Sequence, residues 1–133
     1  MNMLYRRIKW AIEDKFENLL ERCQRFRRGF AWMDVWNMDT WFIHTVEPML
    51  RHLAEHGNGY DDEEFRTPEE WKGVLLYMAD LLHDMDGKNL VEEKYGGYDR
   101  LTTENVTEMY RIRDENRRKF FELFSEYFYS LWD

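Results

Sequence analysis

Histidine is the side chain best suited to bind a metal ion or to move a proton near neutral pH, and this chain has four. His52 and His56 are four residues apart, so on a helix they would share one face, as two metal ligands do. No third ligand stands at a matching spacing, and histidine is also favourable at the carboxyl end of a helix. The pair therefore indicates helix-end residues, with metal binding as the alternative.

A second histidine is followed directly by an aspartate, His83-Asp84. With His52 or His56 before it and Asp114 after it, this pair resembles the His…His-Asp…Asp order of the HD phosphohydrolase superfamily. The superfamily is also all-helical, and the resemblance implies a metal-dependent phosphohydrolase that uses these residues. It covers four residues and nothing between them, and Asp114 lies among charges typical of a solvated face. Surface polar residues near a helix end are the simpler interpretation.

Arginines and tryptophans are concentrated where the first predicted helix ends and the second begins. Arginine forks bind phosphate or carboxylate, and tryptophan rings stack on flat groups such as nucleobases. The alternative is that the rings pack the corner while the arginines pair with nearby acids such as Asp34 and Asp39. The pattern predicts a site for an anionic ligand such as a nucleotide, or for an acidic partner surface. Its residues are Arg25, Arg27, Arg28, Trp32, Trp36 and Trp41.

Acidic residues are numerous, but their spacing does not match a known carboxylate site. Small all-α nucleotide pyrophosphatases hold magnesium with acids on facing helices, in E-E-x-x-E and E-x-x-D patterns. Those patterns do not fit the acids Glu63, Glu64, Glu69, Glu70 and Asp80. Neither a nucleophile–histidine arrangement nor a glycine-rich phosphate loop is present, and no cofactor is expected.

The composition limits the class of protein. Nine Phe, eight Tyr and six Trp among 133 residues are enough to build an ordinary core, so we expect one helical domain over residues 1–133. No apolar run is long enough to span a membrane, and the amino-terminal sequence does not resemble a signal peptide. A single cysteine, Cys23, forms no disulfide framework. These features predict a cytoplasmic protein that does not enter membranes.

The net charge of −8 is unevenly distributed along the chain. Residues 1–33 carry eight Lys and Arg against four Asp and Glu, whereas residues 34–86 carry three against thirteen. An acidic chain is a poor ligand for duplex nucleic acid, because affinity for a duplex comes mainly from neutralising phosphates. The basic first quarter could still bind one small anion or an acidic partner.

Hydrophobic periodicity predicts four helices and hence an all-α four-helix bundle. The first spans residues 3–27 and stops at Gly29. The second begins at an N-cap, Asp34, continues to about His56 and is kinked by Pro48. The apolar stripe of the first helix is formed by Leu4, Ile8, Ile12, Phe16, Leu19, Cys23 and Phe26, and that of the second includes Val35 and Met38.

The second half of the chain follows the same pattern. After an exposed acidic loop at residues 57–66, Thr67, Pro68 and Glu70 form the capping box of a third helix that ends near residue 86. Residues 88–101 form a connection with one short helical turn, and Thr102 or Thr103 starts a last helix that continues to the C-terminus. Its aromatic end is apolar on more than one face, which predicts burial in the bundle or against another subunit.

Three stretches carry a resemblance to a known family: RRGFAWMDVWNMDTWFIHTVEPML, TPEEWKGVLLYMADLL and ENRRKFFELFSEYFYSLWD. They are similar to a family of small helical proteins encoded by bacteriophages and prophages. The resemblance implies an accessory viral protein in a bacterial cytosol and supplies no catalytic residues. By context, small phage proteins often block host defences, either by binding a defence protein or by sequestering its nucleotide signal.

We therefore expect a non-enzymatic, homo-oligomeric phage-type accessory protein. Its arginine and tryptophan residues would bind an anionic ligand such as a nucleotide signal, or the surface of a host defence protein. One alternative is the metal-dependent phosphohydrolase of HD-like type. The other is a structural or packaging component of the phage, which would have no small-molecule site.

Overall fold

The computed structural model describes residues 3–60 and 64–133, and within these ranges helices form all of the regular structure. The predicted all-α fold class is confirmed, whereas Asp61, Asp62 and Glu63 of the predicted loop lie outside the described residues. The helices are α1 (Met3–Arg28), α2 (Trp32–Trp36), α3 (Met38–His56), α4 (Pro68–His83), α5 (Gly87–Glu93) and α6 (Thr103–Glu126), with 3-10 turns at Tyr98–Arg100 and Phe128–Ser130.

The chain divides into two compact units, Met1–Trp41 and Phe42–Asp133. The first unit contains α1 and α2, and the second contains α4, α5 and α6 together with most of α3. A single domain over residues 1–133 stays a prediction. In the part of the chain that the structure describes, no helix combines the length and apolar character needed to cross a bilayer.

Helix α1 ends where the sequence indicates. Arg25, Arg27 and Arg28 occupy its last turn, and Gly29 follows with φ 85° and donates its N–H to the carbonyl of Arg25 at 2.8 Å. Glycine adopts this left-handed conformation at little cost, which makes it a common terminator of helices. None of the residues of α1 is buried, so its predicted apolar stripe is exposed along the helix.

The predicted N-cap at Asp34 is wrong, and the predicted second helix is two helices. Ala31 precedes α2, and Asp34 lies inside α2, where its Oδ2 accepts the Ala31 N–H at 2.7 Å. Asn37 then leaves the helical conformation at φ −134° and ψ 57°, while its carbonyl accepts the Trp41 N–H at 2.9 Å to begin α3. Asparagine suits this position because it is a preferred N-cap residue. Val35, predicted to face inward, is 55% exposed.

The core of the second unit is built around α4. The apolar face of α4 packs with α3 and α6, and α3 continues through Pro48. Phe120 of α6 is completely buried, and its ring lies 5.2 Å from that of Phe124 and 6.0 Å from that of Phe42. The core residues are Ile43, Leu50, Ala54, Phe65, Trp71, Leu75, Met78, Ala79, Leu81, Leu82 and Phe120.

The predicted N-cap of helix α4 is confirmed, whereas the predicted capping box is wrong. The Thr67 hydroxyl accepts the Glu70 N–H at 3.2 Å, and Pro68 occupies the first helical position. The Glu70 carboxylate accepts the N–H of Arg66 at 2.9 Å, one residue before the partner that a capping box requires. The prediction was right about the start of the helix and wrong about this second hydrogen bond.

The last helix is shorter and more exposed than predicted. Thr102 caps α6 by accepting the Asn105 N–H at 3.2 Å, but α6 ends at Glu126 and a 3-10 turn follows. Within α6 Phe120 is buried, whereas Tyr129 beyond it is 92% exposed and Trp132 is 54% exposed. Within this chain Phe120 is the buried residue of α6, and burial against another subunit stays a prediction. Of the predicted connection, Gly87–Glu93 forms the complete helix α5.

Candidate functional site

The side chain of Arg25 is held by Asp34 across the α1–α2 corner. Its Nε and terminal nitrogen donate to the two carboxylate oxygens of Asp34 at 3.0 and 2.8 Å, a paired contact in which the charges offset each other. The hydrogen bond from Arg25, with a second from the Ala31 N–H, keeps the pKa of Asp34 below its ordinary value. Arg25 therefore maintains the corner and is not free to bind a ligand.

Arg28 is also engaged, mainly with the backbone of the turn. Its Nε donates to the carbonyl of Phe30 at 3.0 Å, and its guanidinium lies 4.6 Å from the centroid of the Phe30 ring. Gln24 accepts from Arg28 at 3.3 Å and from the Trp32 N–H at 2.8 Å. Arg27 has no ion pair among the described residues, so of the three predicted arginines it keeps the most available charge.

The three tryptophans of the corner differ in exposure. Trp32 and Trp36 meet edge to face, with ring centroids 6.5 Å apart, and are 50% and 76% exposed. Trp41 is partly buried and lines a cavity of about 180 Å³. The other lining residues of this cavity are Phe30, Asp34, Val35 and Met38. Such a lining suits an apolar side chain better than a phosphate, because its charged group is a carboxylate.

A second candidate site lies where α3, α4 and α5 meet. The Nδ1 of His83 lies 2.9 Å from a carboxylate oxygen of Glu47, and its Nε2 lies 2.8 Å from a carboxylate oxygen of Glu93. Arg51 donates to the same Glu47 oxygen at 3.1 Å. Three of the described residues, His83, Asp84 and Glu93, could bind a metal ion together. One ligand atom of each lies within 4.8 Å of the ligand atoms of the other two.

The charges around this histidine alter the protonation of two groups. Burial lowers the pKa of His83, but the hydrogen bonds and attraction from Glu93 and Glu47 outweigh it, so the pKa is raised from its ordinary value. Burial raises the pKa of Asp84, and repulsion from Glu93 and Asp80 adds to this against the attraction of His83. Burial and the neighbouring carboxylates thus both affect the protonation of His83 and Asp84.

The remaining residues of the HD-like pattern do not belong to the group around His83 and make other contacts. Asp114 is exposed on α6 and pairs with Arg117 and Arg118. The rings of His52 and His56 face each other with centroids 4.6 Å apart, and both line a different cavity. Asp114, His52 and His56 are thus not part of the ligand group around His83 in the described chain.

That other cavity has a volume of about 580 Å³ and lies within the second unit. Its walls are mostly apolar and come from α3, the end of α6 and the C-terminal segment. The ring of Trp132 lies so close to Gly59 that a Cβ there would be 2.5 Å from it, and the N–H of Asn58 donates to Asp133 at 2.7 Å. Contacts between residues 75 positions apart in the sequence form this cavity, so periodicity alone could not predict it.

Two carboxylates next to His83 are not among the predicted site residues. Glu47 is three residues after His44, and Glu93 lies in a segment predicted to be mainly a connection. The spacing of Glu47 and Arg51, four residues apart on α3, was an available signal for an ion pair. The sequence offered no signal that α5 would bring Glu93 to the end of α4.

Comparisons with known proteins identify no relative for this arrangement. No protein-family model matches the chain, and neither a curated protein nor a solved structure is significantly similar to it. The function must therefore be inferred from the residues and contacts described above.

Proposed function

We propose that this is a non-enzymatic, phage-type accessory protein that binds an acidic protein surface through the exposed face of α1 and the adjoining corner. The observation that carries this proposal is that none of the residues of α1 is buried. Ile8, Ile12 and Phe16 on its apolar stripe are each at least 51% exposed. Helices of this kind gain most of their stability by packing the apolar face, so a partner that covers the stripe would stabilise α1.

Charge favours an acidic partner. The 28 residues up to the end of α1 carry eight Lys and Arg against four Asp and Glu. Arg27 adds an available cation in the last turn of α1, and Trp32 and Trp36 of α2 are exposed. Tryptophan and arginine are the residues most often found at the energetic centre of protein interfaces, and surplus positive charge accelerates association with an acidic surface.

The corner supports a protein partner more than a nucleotide. Arg25 is neutralised by Asp34, and Arg28 is bound to the turn. The adjacent cavity of about 180 Å³ is apolar apart from Asp34. A phosphate there would face a carboxylate, whereas an apolar side chain from a partner would be accommodated.

The resemblance to phage proteins supports the rest of this proposal. It favours a host defence protein as the partner and the bacterial cytosol as the location. A homo-oligomer and a four-helix bundle with its second helix kinked at Pro48 belong to the same proposal. The competing ligand is an anionic small molecule such as a nucleotide signal. The experiment below distinguishes it from a protein partner.

The test is quantitative binding to an identified partner. Tagged protein is incubated with bacterial lysate, captured proteins are identified by mass spectrometry, and the most enriched one is purified and titrated. The variant Phe16→Lys should bind at least about tenfold more weakly, because it places a charge in the apolar stripe. Arg27→Ala should weaken binding less and reduce its dependence on salt.

Asn18→Lys is the matched control, because it adds the same charge two residues away, on the opposite side of the helix. It should bind like the unmodified protein, and circular dichroism should show equal helix content in all three variants. Equal binding by Phe16→Lys and Asn18→Lys would contradict the proposal. A co-purified nucleotide that disappears in an Arg27→Ala, Arg28→Ala variant would instead support sequestration of a small anion.

A further inference from the structure

A divalent metal site is the arrangement that best accounts for the side chains around His83. Three helices converge there, since Glu47 belongs to α3, His83 ends α4 and Glu93 ends α5. Asp84 directly follows α4 as its C-cap residue. Helices α3 and α4 contribute residues to the core of the second unit, and α5 buries Leu90 and Val91.

The hydrogen bonds determine which nitrogen of His83 is free to bind an ion. Arg51 donates to Glu47, and the carboxylate of Glu47 accepts a hydrogen bond from the Nδ1–H of His83. The amide of Asn89 donates to the backbone carbonyl of His83 at 3.0 Å and stabilises the end of α4. With the proton on Nδ1, the lone pair of neutral His83 is on Nε2, the nitrogen that faces Glu93.

A carboxylate on one ring nitrogen and a lone pair on the other is the arrangement found around metal-binding histidines. Such histidines almost always donate their second N–H to a carboxylate or carbonyl, which fixes the tautomer and the ring orientation. Here Glu47 would fill that role, and Nε2 would be the ligand. The other two ligands would be carboxylate oxygens of Asp84 and Glu93.

The distances and the charges are compatible with one ion. Two atoms that bind the same ion at about 2.1 Å lie at most about 4.2 Å apart. One ligand atom of each of the three residues lies within 4.8 Å of the others, so binding requires a side-chain movement of at most about 0.6 Å. A histidine that binds an ion must be neutral, so the four carboxylates of Glu47, Asp80, Asp84 and Glu93 are opposed by two cations, Arg51 and Lys94. A divalent cation would remove the excess.

We propose that Nε2 of His83 and the carboxylates of Asp84 and Glu93 bind a divalent first-row transition metal, with Glu47 as the positioning residue of the histidine. The mixed nitrogen and oxygen ligand set suits Zn²⁺ or Mn²⁺ and is less suited to Mg²⁺, which prefers oxygen ligands alone. Three protein ligands leave coordination positions for water or for an oxygen of another molecule. This site is independent of the protein-binding face proposed for α1.

Calorimetric titration of the full chain with Zn²⁺ and with Mn²⁺ tests the site. One ion should bind per chain, and the isosteric variants Asp84→Asn and Glu93→Gln should each bind at least about tenfold more weakly. Glu47→Gln keeps all three ligands and should weaken binding about 10- to 100-fold. Addition of Co²⁺ should give visible absorption bands, and nitrogen NMR should show the metal on Nε2 of His83.

The matched control is the other histidine pair. His52→Gln, His56→Gln removes two imidazoles that lie close together on α3 and should leave the affinity unchanged. Circular dichroism confirms that each variant is folded. The proposal is overturned if neither Zn²⁺ nor Mn²⁺ binds, or if the His52, His56 variant loses binding while Asp84→Asn and Glu93→Gln keep it. In the first case His83 is the charged centre of an ion-pair network between Glu47 and Glu93.

Discussion

At the scale of single residues, chemically identical side chains take different roles because their partners differ. Arg25 and Arg27 are two positions apart on α1, yet Arg25 is bound by both oxygens of Asp34 and Arg27 has no ion pair in the described part of the chain. The same holds for histidine, since His83 lies between two carboxylates while His52 and His56 line an apolar cavity. Residue type identified the candidates, and the three-dimensional contacts separated them.

The pairing of Arg25 and Asp34 should make the α1–α2 corner sensitive to acid. The pKa of Asp34 is lowered in the folded protein, so the stabilisation is complete above the ordinary carboxyl pKa of about 3.9 and is lost as pH falls through the lower folded value. The protection of the α2 amides against hydrogen exchange, relative to their intrinsic rates, should therefore fall in that acidic range, as measured by NMR.

Asp34→Asn is the control for this prediction. The amide side chain keeps an oxygen that can accept the Ala31 N–H but has no charge for Arg25. Exchange in α2 should already be faster at neutral pH in this variant, and acid should add little. Identical exchange profiles in the two proteins would show that the ion pair does not stabilise the corner.

At the scale of elements, α1 and α4 have similar amphipathic sequences but different surroundings. Helix α4 buries six residues, whereas α1 buries none. Both were predicted from the same periodicity, because periodicity reports which face is apolar and not what covers that face. For α1 the covering partner is the subject of the proposed function, and for α4 it is the core of the second unit.

The start of α4 should contribute measurably to stability. Thr67→Ala removes the hydroxyl that accepts the Glu70 N–H, and loss of such a cap costs about 1 kcal/mol in the free energy of unfolding. Urea unfolding monitored by tryptophan fluorescence measures the change, since Trp71 is buried next to the cap in the sequence. Thr103→Ala is the matched control, because the cap of α6 is Thr102. An equal effect of both substitutions would argue against a capping role for Thr67.

At the scale of the whole molecule, exposed aromatic residues occur beyond the end of α6 as well as on α1. Tyr129 is 92% exposed and Phe128 is 51% exposed. Large exposed apolar groups that lie close together often mark an interaction surface. This is the surface on which the expected homo-oligomer was based.

Substitution of Tyr129 tests whether this surface joins subunits. We expect the unmodified protein to be a homo-oligomer by light scattering after size exclusion, and Tyr129→Glu to shift it to a smaller species. A charge at this exposed position should not disturb the core, so the thermal midpoint at high dilution should be unchanged. Tyr98→Glu, at another exposed tyrosine, should keep the oligomer. If the unmodified protein is a monomer at high concentration, the proposed homo-oligomer is wrong.

The amino-acid sequence by itself determined the helical class, the end of α1 and the starts of α4 and α6, because these depend on local features. Gly29, Thr67 and Thr102 act through hydrogen bonds to residues at most four positions away. The tertiary structure decided the rest. Contacts between separate helices decide whether Arg25 is available and whether the stripe of α1 is covered. They also decide whether Glu47 and Glu93 meet at His83. Such contacts leave no periodic signal in the chain, which is why the metal-ligand group became visible only in the folded structure.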